Sequence, residues 1–200
     1  NSGAPLTVRY QMKTRAYAGS VPAVTAVIPG TDDSRCFFIT AHAYEPHATN
    51  NVAGVAMCLC VAKTLMRLIR SGRLPRPKHS IRFFHGLENF SLYAWGMSHR
   101  KQMNAALGGI STDSFGRFGA GGKVERFVLR RCLNIHPSSQ HALAREILDR
   151  ACAEAGIGYE VREGSSNNEE MMQDPQLGPA WNLLYGSLWE EPLETKPLCY

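Results

Sequence analysis

Two apolar runs of strand length, each closing on a polar side chain and each followed by a helical pattern, constrain this chain most. The first, Cys36-Phe37-Phe38-Ile39-Thr40-Ala41-His42, leads through Asn50-Asn51-Val52-Ala53-Gly54 into a long apolar stretch. The second is Ser80-Ile81-Arg82-Phe83-Phe84-His85-Gly86-Leu87-Glu88. Strands that alternate with helices argue for an α/β fold. In open sheets of this class, ligands bind just beyond the carboxyl ends of the strands. His42 and Glu88 therefore stand where such a fold places its chemistry.

The rest of the chain extends the alternation. Leu6 to Arg15 and Val21 to Ile28 read as two strands joined at Ala18-Gly19-Ser20, and Pro29-Gly30-Thr31-Asp32-Asp33 is a turn signal. Arg35 to Ala41 reads as a buried strand. Val52, Val55, Ala56, Leu59, Ala62, Met66 and Ile69 recur at helical spacing, with Asn50 or Asn51 as N-cap and Gly72 as the stop. Further strands are expected at Ile81 to Phe84, Gly109 to Asp113, Val124 to Arg131, Tyr159 to Val161 and Asn182 to Tyr185. Helices are expected at Phe90 to Ala106 and Ser138 to Ala155. The sum is a three-layer α/β domain, its sheet mostly parallel or mixed and flanked by helices. It runs over residues 1–200 as a single unit with a tail at 190–200, and a chain that begins at Asn reads as a trimmed or partial form.

Composition narrows the function classes. The 200 residues, 44% hydrophobic and 20% charged, suit one soluble globular domain. Lys63 and Arg67 interrupt the apolar stretch from Val52 to Ile69, which excludes a membrane span there. A net charge of +5 comes from scattered cations without interleaved aromatic residues, so no nucleic acid partner is expected. The Gly116 to Gly122 loop matches neither the dinucleotide nor the P-loop spacing. Six cysteines without a CxxC pair support neither a disulfide framework nor a cysteine zinc site, and the expected location is the cytoplasm. The partner expected is a small-molecule or peptide substrate, with oligomerisation left open.

The order of segments resembles the co-catalytic zinc aminopeptidases, a superfamily that includes glutaminyl cyclases and the transferrin-receptor ectodomain. Within it, the chain is most similar to bacterial uncharacterised aminopeptidase-like proteins. The resemblance is carried by Val24-Thr25-Ala26-Val27-Ile28-Pro29-Gly30, by Thr40-Ala41-His42 followed by Asn50 to Gly54, and by Ser71-Gly72-Arg73-Leu74-Pro75-Arg76-Pro77 before the strand at Ile81. It covers residues 21–116 well and 124–184 loosely.

The resemblance implies a site of two metal ions with a Glu as general base. His42 matches the histidine that binds one metal, and Asp113 matches its carboxylate partner on that metal. Glu88 matches the general base. Asn50 stands where the resemblance implies the bridging aspartate, and Asn89 where it implies a ligand glutamate. The last histidine ligand would fall near Asn168-Glu169, yet no histidine follows His141. A neutral amide cannot supply the charge that holds two dications together, and zinc favours Cys, His and carboxylate ligands. One metal position has thus lost its ligands.

What survives is coherent: His42 and Asp113 on one metal, Glu45 as a third oxygen donor, and Glu88 as the proton-transfer group. Asn50, Asn89, His85 and Glu169 are expected to line the substrate pocket. The implied cofactor is at most one zinc or other divalent ion. The implied activity is hydrolysis, transfer or cyclisation of an amide, peptide or amino-acid-like substrate. A pseudo-peptidase that only binds a peptide or protein is the rival reading. A histidine or aspartate at a strand end is also an ordinary hydrogen-bonded or turn residue, and a glutamate at a helix N-terminus is favoured by the dipole alone.

Overall fold

In the computed structural model, residues 7, 9–44, 52–113, 126–130, 138–162 and 181–186 are described. Seven strands form one sheet: β1 Val24–Ile28, β2 Asp32–Ala43, β3 His79–Leu87, β4 Ala106–Asp113, β5 Arg126–Arg130, β6 Gly158–Arg162 and β7 Trp181–Gly186. Among the described residues four helices accompany them: α1 Ala53–Arg70, α2 Glu88–Ser98, α3 Arg100–Asn104 and α4 Ser139–Ala155. The strand order is β1-β3-β2-β4-β7-β5-β6. The four central strands β3, β2, β4 and β7 run parallel. β1 opposes β3 at one edge, and β5 opposes β7 towards the other with β6 parallel to it. The expected α/β class and mixed sheet are what the structure shows.

Alternation along β2 and β3 gives the sheet two apolar faces. Cys36, Phe38 and Phe84 pack with Leu92 of α2, Met103 of α3, Ala106 and Trp95 on one side. Ala41, Phe83 and Ile28 pack with Cys58 and the apolar stripe of α1 on the other. Phe38 is fully buried and Phe84 is 2% exposed, each burial contributing about 1.5–3 kcal/mol. Because successive side chains point to opposite faces, Thr40 and His42 continue the Phe38 face towards α2.

Three local outcomes differ from the sequence expectation. Residues 9–15 form no strand; they lie exposed with Tyr10 76% accessible, so the apolar alternation there finds no surface to bury against. The single helix expected from Phe90 to Ala106 is two, because His99 leaves helical geometry at φ −123° and ψ 41°. Its ring Nδ1 donates to the Trp95 carbonyl at 2.8 Å, a local side-chain bond that competes with continuing the helix. Third, α1 starts after Val52, which makes no side-chain capping bond. Asn50 and Asn51, the expected caps, lie outside the described residues, as does the glycine loop 116–122.

By contrast, α4 follows its end signals. The Ser138 hydroxyl accepts from Gln140 N–H, and Gly156 closes the helix in the left-handed region.

Candidate active site at the carboxyl edge of the sheet

The parallel register brings three strand ends together. His42 pairs with Gly86 of β3, and Thr40 pairs with Ser111 of β4. Two residues past Thr40 and Ser111 stand His42 and Asp113, on the same face of neighbouring strands. His42 Nε2 lies 4.0 Å from Asp113 Oδ1, and the two side chains are 4% and 15% exposed.

Glu88 reaches the same place by a tight turn. β3 ends at Leu87 and α2 begins at Glu88 with no loop between them. Glu88 is held at φ 35°, a left-handed value that costs a non-glycine residue about 1 kcal/mol or more. The turn is fixed by Ser91, whose hydroxyl accepts from Leu87 N–H at 2.8 Å. Gly86 is required beneath it, because a Cβ there would overlap the Ser91 side chain.

A small cavity lies where these elements meet, lined by Thr40, Ala41, His42, Phe84, Gly86, Glu88, Leu92 and Ser111. Its volume is about 10 Å³, room for about one water molecule. Its polar lining is buried: Thr40, His42 and Ser111 are 6%, 7% and 4% exposed. Thr40 and Ser111 were not singled out in the sequence. The signal that could have found them is the polar run Ser111-Thr112-Asp113 closing a strand that is otherwise small and apolar.

Behind the site, α1 is clamped to the sheet. Thr112 Oγ1 donates to the Thr40 carbonyl at 3.0 Å. Its single proton being used there, the Cys58 thiol donates to Thr112 Oγ1 at 3.4 Å. Burial pushes the Cys58 thiol pKa up, so it stays protonated. Gly54 allows this approach, since a Cβ there would stand 2.7 Å from the Thr112 carbonyl oxygen. The clamp seats the first turn of α1 beside the carboxyl ends of β2 and β4.

Not every expected residue joins the group. His85 is not among the residues lining the cavity. It lies on the other face of β3 with Phe83, where its Nδ1 donates to the Ala41 carbonyl at 3.2 Å. Burial lowers its pKa, partly offset by that hydrogen bond. Asn89 is the second residue of α2. Glu45, Asn50 and Glu169 lie outside the described residues.

His42 and Asp113 suit two ligands of one metal ion. Tetrahedral zinc with bonds of about 2.0–2.2 Å separates its ligand atoms by about 3.4 Å, so closing their 4.0 Å gap needs only a small rotation. Among the described residues no group of three or more His, Cys, Asp or Glu side chains is arranged to hold a metal.

Solved structures share this fold. A zinc aminopeptidase from Bacillus subtilis superposes with a TM-score of 0.61 at 18% identity, over 88% of this chain and 42% of that one. The chain has the fold of the zinc aminopeptidases. A peptidase M28 precursor from Shewanella amazonensis matches at TM-score 0.53 and 20% identity, over 82% of this chain and 35% of that one. A glutaminyl cyclase from an Acidobacteriales bacterium matches at TM-score 0.53 and 10% identity, over 82% and 58%. The chain thus spans less than two thirds of the length of each of these structures. No family model and no curated protein matches it. Among the described residues, no helix is long and apolar enough to cross a membrane.

Proposed function

We propose that this chain carries an aminopeptidase-type active site that acts on an amide, peptide or amino-acid-like substrate with at most one divalent metal ion. The observation that carries this reading is the meeting of His42, Asp113 and Glu88 at the carboxyl edge, with His42 and Glu88 lining one water-sized cavity. His42 and Asp113 would hold the ion, zinc being the first choice for a His and carboxylate pair, with Glu45 as the third ligand. A metal there supplies Lewis acidity towards a substrate carbonyl and towards water. The Glu88 carboxylate accepts the proton of the attacking water and returns it to the departing amine nitrogen. Thr40 and Ser111 present hydroxyls to the same space.

A second reading is favoured by one feature of the sequence. Asn50 and Asn89 are neutral where the fold's two-metal members imply carboxylates, so the cleft could bind a peptide or protein without chemistry. The two separate on Glu88→Gln. Ligands are first found by thermal shift among amino-acid amides, short peptides and acyl amino acids. On a turned-over ligand, Glu88→Gln should fold, bind and lose about 100-fold or more in rate. Full turnover by that variant removes Glu88 from the mechanism, and binding without any turnover by the unaltered protein favours the second reading.

A further inference from the structure

A second cavity, of about 520 Å³, opens at the opposite end of the sheet. It lies between the amino ends of β2 and β3 and helix α3, with Cys36, Ser80, Arg82 and Lys101 among its lining. His42 lies six positions along β2 from Cys36, about 20 Å of extended chain. This cavity is therefore distinct from the one beside Glu88. Its volume falls within the range of small-molecule sites.

The charge of this cavity is one-sided. Arg35, Arg82 and Lys101 line it against one acid, Asp33. Arg82 forms the floor and is held from two sides. Its Nη1 donates to Thr25 Oγ1 at 2.9 Å, and its guanidinium carbon lies 5.3 Å from the Trp95 ring centroid. Burial pushes the neighbouring Cys36 thiol pKa up, against the charge of Arg82 and a hydrogen bond from it, so the thiol stays neutral beside the guanidinium. A half-buried guanidinium held in place recognises carboxylate or phosphate oxygens. Arg35 and Lys101, exposed at the rim, add two further cations.

We propose that this cavity is a binding site for a small molecule bearing a carboxylate or phosphate group. The anionic group sits on Arg82 between Arg35 and Lys101, and the body of the ligand lies along Val27 and Pro29. The proposal stands whether or not the carboxyl-edge site is catalytic.

The test is calorimetric titration of the whole chain at low ionic strength with phenyl phosphate and with benzoate, benzyl alcohol serving as the uncharged control. Saturable binding of at least one anion, and none of the alcohol, is expected. The tighter of the two anions tells phosphate from carboxylate. Arg35→Gln combined with Lys101→Gln, both at exposed positions, should weaken binding by about tenfold or more. His42→Ala should leave it unchanged. Failure of both anions to saturate overturns the proposal. So does binding that survives the double substitution or is lost in His42→Ala.

Discussion

His42 Nε2 and Asp113 Oδ1 stand 4.0 Å apart on neighbouring parallel strands, their side chains 4% and 15% exposed. The distance is too long for a hydrogen bond, yet an acid and an imidazole are kept close in a buried setting. Parallel register produces the pairing, because each residue lies two positions beyond the Thr40–Ser111 pair. The same register sets His42 opposite Gly86, two residues before Glu88.

Glu88 should show opposed effects on stability and function. Its φ of 35° stores strain that glycine would relieve. Relief of about 1–3 kcal/mol of strain, set against about 0.4–1 kcal/mol of added unfolded-chain freedom, makes Glu88→Gly stabilising by about 1 kcal/mol while abolishing turnover, whereas Glu88→Gln loses turnover with little change in stability. Urea denaturation of both variants checks this. Destabilisation by Glu88→Gly would mean that the carboxylate contributes more to the fold than its backbone costs.

Gly54→Ala reads out the clamp on α1. In an open helix the change would stabilise by about 1 kcal/mol. Here the added Cβ would meet the Thr112 carbonyl oxygen at 2.7 Å and Ala41 Cβ at 3.2 Å. A loss of about 1–3 kcal/mol in chemical denaturation is therefore expected. A gain would show that α1 does not sit against β4 as described.

Much of the fold was legible in the sequence because its strands are short apolar runs punctuated by turn chemistry. Arg35 to Ala41 and Ile81 to Phe84 lie inside β2 and β3, and the helix expected at Ser138 to Ala155 is α4 to within a residue. Leu6 to Arg15 was misread because alternation shows that a segment could pair, not that a partner exists. His99 is not legible as a helix break because its bond to the Trp95 carbonyl is a side-chain choice made between stacked rings, Trp95 and His99 lying 4.4 Å apart and nearly parallel. At the candidate site, strand-end position brings His42, Glu88 and Asp113 to one edge of the sheet. The face of His85 was set by strand parity: it follows Phe84 by one residue, so it turns away from the cavity that Phe84 lines.

His85 gives the protein an acid-sensitive limb. Burial holds its pKa below the ordinary 6.5, with the Ala41 carbonyl opposing. As pH falls, the unfolded chain takes up this proton first. The contribution is therefore fully present above about pH 6.5 and is lost as pH drops through the folded pKa. His85→Leu should flatten the fall in urea midpoint between about pH 7.5 and pH 5. An unchanged slope in that variant would assign the acid sensitivity to other groups.

The central claim, a single metal position built on His42 and Asp113, is tested most directly by metal content. Protein purified without chelators and equilibrated with zinc should retain one equivalent per chain by mass spectrometry, and both His42→Ala and Asp113→Ala should lose it. Two tightly held equivalents per chain, or one that survives both substitutions, would contradict the account.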